Sequence, residues 1–445
     1  MGGPGERARG DPDPGPLHGP LVRSSPRRSL AMSAPSARDA VVVAALRTPV
    51  GKGRPARDGK PGGALHGHHP VDLAATVLRA VVQRAGLGTL READGLIDDV
   101  LVGCVGQVGE QSFNIARNAV LAAGLPVEIP AVTIDRQCGS SQQALQFAAQ
   151  AIRAGDQDAI LVAGVESMSR VPMGSAAGAA DPYGPRLAGR YPDGLVPQGI
   201  AAELIAARWD LSRDALDAFA ARSHQLAHGA SERGEVDDEL MHVPVDRGEG
   251  PSADLLVRDE GIRPETTMEG LRALPPAFED PAWQVRFPEL RWSVHAGNAS
   301  PLSDGAAALL VMARERAEAD GVPVLATVRR SVAVGYDPIV NLAGVVPATR
   351  KVLAKAGMTI QDVDVFEVNE AFASVVLVWL QDLGVDEARV NVRGGAIANG
   401  HPLGASGAKL TTTLLSVMRA RDASVGLQVM CEGGGMANAT LFERF

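Results

Sequence analysis

Residues 132–165, VTIDRQCGSSQQALQFAAQAIRAGDQDAILVAGV, predict a strand, a helix and a second strand in direct succession. The first three residues are a short apolar run, residues 141–154 have the apolar spacing of a helix that ends at Gly155, and residues 159–165 are a continuous apolar run. Strands that alternate with helices form a sheet that is largely parallel and covered by helices. This stretch therefore predicts an α/β fold.

The same alternation extends to both sides of this stretch. It begins with the strand-like run 40–45, and it returns in a second half whose strands and glycine-rich turns resemble the first at an offset of roughly 265 residues. We therefore predict two similar halves, each with a central sheet covered by helices. The first half comprises residues 39–168 and 293–315, and the second comprises residues 316–445.

Residues 169–292 have a different character. They contain Pro- and Gly-rich loops followed by amphipathic helical segments, and they lack the apolar runs of buried strands. This composition predicts a loop domain that is inserted in the first half and caps the sheet domains.

The N-terminal segment, residues 1–38, contains seven Pro among many Gly and Arg residues and cannot bury a core, so we predict a disordered tail. The pair Arg27-Arg28 is not followed by the apolar stretch of an export signal. We expect the tail to be dispensable, and Met32 is a candidate start of the functional chain.

Charge and cysteine content argue against several classes of protein. The net charge of -9 argues against nucleic acid as the main partner. No apolar run reaches the roughly 18–20 residues that cross a bilayer, so we expect no membrane partner. The three cysteines are odd in number, widely spaced and without a CxxC pair, so we expect neither a disulfide framework nor a metal site. A reducing compartment, the cytoplasm, fits this cysteine usage.

The first candidate for chemistry is Cys138, which lies between a predicted strand and the start of a predicted helix. The helix dipole and the free N–H groups at a helix N-terminus favour a reactive thiolate. A small buried core residue is the competing interpretation of a lone cysteine. The neighbouring Gly139 and the strand–helix junction favour the functional interpretation.

A second candidate is His401, which lies in the segment 394–407, GGAIANGHPLGASG, with five glycines. Such glycine density allows the backbone to approach a ligand closely, and Pro402 restricts the conformation of the histidine. An imidazole held in this way is suited to act as a general base toward a thiol. A structural role is the competing interpretation of a lone histidine, and the glycine-rich setting favours function.

The third candidate site is the run 431–436, CEGGGM, which directly follows a predicted buried strand. Its three glycines expose consecutive N–H groups that suit an oxyanion hole, and Cys431 beside them is a candidate acid or base. A tight turn near the C-terminus is the competing interpretation.

Taken together, these motifs resemble the thiolase family in their order and spacing, over residues 40–445. The motifs are Cys138 before its helix, the segment 368–372 (VNEAF), Gly400-His401-Pro402 and Cys431-x-Gly-Gly-Gly, with 296–300 (AGNAS) followed by 303–307 (SDGAA).

This resemblance implies a role for each matching residue. Cys138 is expected to be the acylated nucleophile and His401 the base that activates it. Cys431 is expected to be the second acid/base. Asn369 is expected to hold a water that, with His401, stabilises one thioester oxyanion. The backbone N–H groups of Cys138 and Gly433 are expected to form the other oxyanion hole.

The resemblance also implies substrates and assembly. The reaction is the reversible thiolytic cleavage of a 3-ketoacyl-CoA, or the condensation of two acetyl-CoA molecules. Coenzyme A and acyl-CoA are the expected partners, coenzyme A is a co-substrate, and no cofactor is bound permanently. The family implies a homodimer or homotetramer. The residues expected to line the coenzyme A channel are Ser300, Ala296, Phe278, Ala371 and Phe372.

Some positions depart from the commonest family pattern. Ala437 followed by Asn438 replaces a usual glycine, Glu432 occupies a position that is often apolar, and Asn399 replaces a frequent leucine. These changes leave the acid/base residues intact and bear on the acyl pocket. The CEGGG run resembles degradative thiolases of actinobacteria, some of which act on bulky acyl or steroid side chains.

Two other functions fit parts of the pattern. A ketoacyl synthase shares the doubled fold, but its sites resemble Cys-His-His or Cys-His-Asn, whereas this chain has Cys431 at the second acid/base position. A non-catalytic, lipid-binding relative typically loses a catalytic Cys or His, and all of them are present here.

Overall fold

The computed structural model describes residues 36–87 and 95–445. Most of the predicted tail therefore lies outside the described residues. The strands are β1 Ala40–Arg47, β2 Gly51–Lys52, β3 Asp99–Gly103, β4 Ala131–Ile134, β5 Ala159–Ser167, β6 Val243–Pro244, β7 Leu255–Leu256, β8 Ser303–Ala313, β9 Ala326–Gly335, β10 Val365–Val368, β11 Val425–Glu432 and β12 Met436–Glu443.

The helices alternate with these strands, as the periodicity of the sequence predicts. They are α1 Pro70–Arg84, α2 Ile115–Ala122, α3 Ser140–Ala154, α4 Gly184–Arg190, α5 Gln198–Arg208, α6 Arg213–Glu232, α7 Met268–Arg272, α8 Pro281–Arg286, α9 Arg314–Ala319, α10 Val345–Ala356, α11 Ala373–Leu383, α12 Ala396–Asn399 and α13 Ser406–Ala420. Among the described residues no helix is both long and apolar enough to cross a membrane.

The two predicted halves share one continuous mixed sheet, with strand order β10-β11-β12-β9-β1-β8-β5-β3-β4 and β2 paired to β8. Neighbouring strands are parallel only toward the two ends, in the pairs β3–β4, β3–β5 and β10–β11. The expectation of a largely parallel sheet is therefore wrong for its centre. Strands β8 and β12 run back antiparallel to β5 and β11, so that each half has an antiparallel inner edge.

The two halves have corresponding strand orders: β1-β8-β5-β3-β4 in the first and β9-β12-β11-β10 in the second. The counterpart of β4 in the second half, at residues 390–392, is reduced to a parallel bridge between Val390 and Phe366. Asn391 has a left-handed backbone with φ 47°, and its side chain bonds both the N–H and the carbonyl of Val368. This local arrangement replaces a regular strand ladder.

Helices α3 and α13 pack against each other on one face of the sheet, within a shared apolar cluster. Their first turns are in close contact, because a Cβ atom at Gly407 would lie 2.1 Å from the backbone nitrogen of Gln142. The Ala408 N–H also donates to Ser141 Oγ at 2.9 Å. Only glycine permits this approach at position 407. The loops that precede the two helices are thereby brought to one place.

The segment 169–292 contains helices α4 to α8 and the two-residue strands β6 and β7, which pair with each other and not with the large sheet. Arg47, at the end of β1, joins the segment to the sheet. Its guanidinium, 1% exposed, contacts Glu239 at 2.8 Å and Asp259 at 2.7 Å. Both carboxylates come from the inserted segment.

We predict that Arg47→Leu lowers the free energy of unfolding by about 3–5 kcal/mol, because it removes from two buried carboxylates the cation that lies closest to them. Chemical denaturation measures the change. Arg258→Leu is the control, since Arg258 pairs with Glu232 at the surface and its loss should shift the midpoint far less. Equal effects of the two substitutions would contradict a structural role for the buried ion pairs.

Candidate active site

The turn between β4 and α3 presents Cys138. Gln137, just before it, has a left-handed backbone with φ 48°. Ser140 holds the turn, because its hydroxyl donates to the Gln137 carbonyl and accepts the N–H of Arg136 at 2.9 Å. Cys138 itself is 2% exposed. The nucleophile predicted from the sequence is thus placed at a strand–helix junction in a tight turn, away from bulk water.

Burial, and not the helix, dominates the ionisation of Cys138. Burial raises the pKa of its thiol well above the usual value, and the neighbouring Cys431 and Glu432 raise it further. The backbone N–H groups of Cys138 and Gly433 act in the opposite direction. The expectation that the helix N-terminus favours a resting thiolate is therefore wrong. The two N–H groups can instead stabilise negative charge that forms during a reaction.

His401 lies in the loop before α13 and is buried. Its backbone N–H donates to Ser303 Oγ at 2.9 Å, and its imidazole Nδ1 lies 2.6 Å from Ser406 Oγ. The Ser406 hydroxyl donates its single proton to the Pro402 carbonyl at 2.8 Å. Nδ1 must therefore carry the imidazole proton and donate it to Ser406, which leaves Nε2 as a free base.

The charge around His401 supports the neutral imidazole. Burial, together with the positive charge of Lys409, lowers the pKa of His401 to about 3. The ammonium of Lys409 also donates to Asn399 Oδ1 at 2.6 Å, two residues before the histidine. An imidazole that resists protonation in the resting state remains available as a general base at neutral pH.

Asn369, at the end of β10, lies between His401 and Cys431. Its Nδ2 is 3.5 Å from His401 Nε2 and 3.7 Å from Cys431 Sγ. Its Oδ1 is buried and accepts no hydrogen bond from the described residues. The amide therefore orients both groups and has an acceptor left for a ligand. Within the described part of the chain, His401 and Cys138 form no direct hydrogen bond with each other.

Cys431 lies near the end of β11, where burial raises the pKa of its thiol to about 11, against the opposing effect of the Asn369 hydrogen bond. The thiol is therefore protonated at neutral pH and can donate a proton. The turn that follows uses Gly434 and Gly435, with φ 81° and 77°, which residues with a Cβ rarely adopt. This turn directs the Gly433 N–H toward Cys138.

Two buried carboxylates that the sequence motifs did not predict hold the loops of the site. Glu166 accepts the N–H groups of Val105, Gly106 and Gly404, so it joins loops of both halves. Glu370, next to Asn369, accepts from Ser223, Asn391 and the Ile397 N–H. The feature of the sequence that could have identified Glu166 is the position of an acidic residue at the end of an apolar strand.

Most residues predicted for the coenzyme A channel lie together. The Ser300 N–H donates to the Ala371 carbonyl at 3.0 Å, and the neighbouring Ala299 forms a bridge with Phe372. The rings of Phe278 and Phe372 meet edge to face, with centroids 6.1 Å apart. Ala296 is exposed, four residues before Ser300. Among the described residues no group of His, Cys, Asp and Glu could hold a metal ion.

The site combines a buried thiol, toward which backbone donors converge, with a neutral imidazole and a second thiol. On a doubled α/β fold, this combination is that of an acyltransferase. The family model "Thiolase, N-terminal domain" matches residues 40–315, and "Thiolase, C-terminal domain" matches residues 322–444. The chain belongs to the thiolase family.

Its relatives match over nearly their whole length. A 3-ketoacyl-CoA thiolase of Vibrio vulnificus is 43% identical over 414 residues, covering 92% of this chain and 100% of the relative. One of Pectobacterium carotovorum is 42% identical over 91% of this chain and 99% of the relative. The steroid 3-ketoacyl-CoA thiolase FadA6 of Mycobacterium tuberculosis is 42% identical over 91% of this chain and 94% of the relative.

We predict that Ser406→Ala slows thiolysis about fivefold, because the imidazole loses the hydrogen bond, worth about 1 kcal/mol, that fixes its tautomer. His401→Ala should cost more, about 10²–10⁴-fold. Steady-state kcat/KM measures both. Thr412→Ala is the control, since it removes another buried hydroxyl of α13 that bonds a backbone carbonyl. A loss of the same size in Thr412→Ala would remove the argument for Ser406.

Proposed function

We propose that this chain cleaves 3-ketoacyl-CoA with coenzyme A to acetyl-CoA and a shortened acyl-CoA, and catalyses the reverse condensation, through an acyl group on Cys138. The convergence of the Cys138 and Gly433 N–H groups on one thiol, beside Cys431, carries the proposal. Membership of the thiolase family and the names of the relatives support the reaction class.

In the first half-reaction, Cys138 loses its proton toward His401 Nε2 and its sulfur attacks the C3 ketone carbon of the substrate. The oxygen becomes an oxyanion that the Cys138 and Gly433 N–H groups stabilise. The C2–C3 bond then breaks, the carbonyl re-forms as a thioester on Cys138, and the electron pair passes to the acetyl-CoA enolate. Cys431 donates its proton to C2 of this enolate.

In the second half-reaction, the thiol of coenzyme A transfers its proton to the Cys431 thiolate. The coenzyme sulfur attacks the acyl-cysteine carbonyl, and the same N–H groups hold the new oxyanion. Collapse of this intermediate releases the shortened acyl-CoA, and the Cys138 sulfur recovers its proton from His401. Asn369 holds a water that, with His401, stabilises the thioester oxygen of the acetyl-CoA enolate.

Coenzyme A enters as a co-substrate along Ser300, Ala371 and the facing rings of Phe278 and Phe372, with Ala296 at the exposed end of this surface. The aromatic pair and the small residues offer an apolar wall to the pantetheine arm. No permanently bound cofactor is needed for any step of the proposed reaction.

The proposed setting is the cytoplasm, which the three free, buried cysteines support because a reducing compartment preserves thiols. We further propose that residues 39–168 with 293–315 and residues 316–445 work as two halves, with residues 169–292 as an inserted cap. The corresponding strand orders of the halves support this division.

We also propose that two copies of the chain form a homodimer through β4. Among the strands that the structure describes, β4 is the last of the large sheet, with β3 as its one neighbour there. Exposed apolar side chains lie on it and on the flanking elements, namely Val132, Phe113, Leu121, Val127 and Phe147. An open edge strand with apolar flanks can pair with its own copy across a twofold axis.

The dimer predicts a sedimentation mass twice that of one chain at micromolar concentration. Val132→Lys on β4 should shift the protein toward the monomer, because a buried lysine pair at the twofold axis is unfavourable. Val285→Lys is the control, since Val285 is an 82% exposed apolar residue of the inserted segment. A monomeric wild type, or equal behaviour of both variants, would exclude the β4 interface.

The nucleophile predicts an acyl adduct on Cys138 after a pulse of 3-ketoacyl-CoA without free coenzyme A, together with ping-pong kinetics. Peptide mapping by mass spectrometry locates the adduct. Cys104 serves as the internal control, because it is another buried thiol whose pKa burial raises. An adduct confined to Cys104 or Cys431 would refute the assignment.

The second thiol predicts a separation of two half-reactions. Cys431→Ser keeps the size of the side chain but removes an acid/base of usable pKa. The variant should still be acylated at Cys138 by acetyl-CoA, yet fail to exchange the α-protons of acetyl-CoA with deuterated water. Nuclear magnetic resonance follows the exchange. Exchange at the wild-type rate would require a different base.

A further inference from the structure

Glu432, the last residue of β11, carries a buried carboxyl group that stands out because it lacks hydrogen-bond partners in the described part of the chain. Its side chain is 0% exposed, and neither of its oxygens accepts a hydrogen bond from the described residues. Glu166, a comparably buried acid, accepts three backbone N–H groups and the amide of Gln111. A buried carboxylate without donors is costly, whereas the neutral acid is tolerated.

The carboxyl of Glu432 lies against the turn of the nucleophile. A Cβ atom at Gly139 would come within 1.8 Å of Glu432 Oε1 and 3.1 Å of Asn438 Nδ2. The amide of Asn438, on β12, donates to the Gly139 carbonyl at 3.4 Å, and its buried Oδ1 has no partner within residues 36–87 and 95–445. Glu432 and Asn438 thus surround the residue that follows Cys138.

Four charged or titratable groups face Glu432. Asp135 and Arg136 come from the loop after β4, Cys138 from the start of α3, and Cys431 from β11 itself. Burial raises the pKa of Glu432 to about 8, Asp135 adds to the shift, and Arg136 opposes it. A negative charge on Glu432 in turn raises the pKa of both thiols.

We propose that Glu432 is a positioning residue for acylation: as a neutral acid it packs the turn of Cys138 against β12, and its ionisation hinders formation of the Cys138 thiolate. The proposal rests on the proposed role of Cys138 as nucleophile. The sign follows from the charge, because a thiolate and a carboxylate that share one buried site repel each other. At alkaline pH the ionised Glu432 should therefore lower the reactivity of Cys138.

Alkylation of Cys138 by iodoacetamide tests the proposal without any turnover. The rate is measured from pH 6 to 10 in the wild type and in Glu432→Gln, which is a neutral side chain of equal size, and peptide mapping assigns the label. The ratio of the variant rate to the wild-type rate should rise with pH, reaching about tenfold one pH unit above the carboxyl's pKa if the ionised form is unreactive. Dividing the two rates cancels the titration of the Cys138 thiol itself, which occurs in the wild type and in the variant alike.

Glu443→Gln is the matched control. Glu443 is a buried acid at the far end of β12, where it pairs with Val425 and contacts Arg329. Its ratio to the wild type should stay constant with pH. A constant ratio in Glu432→Gln as well would overturn the proposal. A failure of the thiolase reaction itself would appear separately, as the absence of an acyl adduct on Cys138 from 3-ketoacyl-CoA.

Infrared titration of the wild type covers the case in which Glu432→Gln does not fold. A protonated, buried carboxyl group has a characteristic carbonyl stretch, which disappears when the group ionises. This band should disappear over the pH range in which Cys138 is alkylated more slowly than expected for a thiol that titrates alone. Isotope-edited glutamate identifies the band as a glutamate, and its persistence in Glu443→Gln and in Glu367→Gln assigns it to Glu432, because burial also raises the pKa of Glu367. A fully ionised Glu432 at pH 6 would overturn the proposal.

Discussion

The close contact between the first turns of α3 and α13 is the constraint on which the rest of the site depends. Gly407 leaves room for the backbone of Gln142, and Ser141 accepts the N–H of Ala408. Cys138 lies just before one helix and His401 just before the other. Because the helix starts touch, both loops reach the same volume, although the residues are far apart in the chain.

Burial then sets the chemical state of this volume. It keeps both thiols protonated and the imidazole unprotonated in the resting state. In the proposed reaction, charge separates only during proton transfer from Cys138 to His401, and the backbone N–H groups of Cys138 and Gly433 already act on the Cys138 thiol in the resting state. Donors that need no reorientation stabilise a forming oxyanion efficiently. The pKa of the Cys138 thiol is therefore not lowered in the resting site, and the proposed charged intermediates are stabilised instead by donors that are already in place.

The buried carboxyl groups around the site fall into two kinds. Glu166 and Glu370 are surrounded by donors and fix the positions of the Gly404 and Asn369 loops. Glu432 has no donor in the part of the chain that the structure describes, and it lies against the turn of Cys138 instead. Burial raises the pKa of all three carboxyl groups, but hydrogen bonds oppose the shift at Glu166 and Glu370 and not at Glu432.

The sequence by itself determined the alternation of strands and helices, the repeat of that pattern and the loops around Cys138, His401 and Cys431, because periodicity and glycine spacing are local properties. Only the tertiary structure decided that the halves share one mixed sheet, that residues 390–392 form a bridge instead of a strand, and that Glu166 joins two loops. It also decided that burial outweighs the helix at Cys138. Strand direction, burial and pKa depend on which distant residues become neighbours, and that is a property of packing rather than of local sequence.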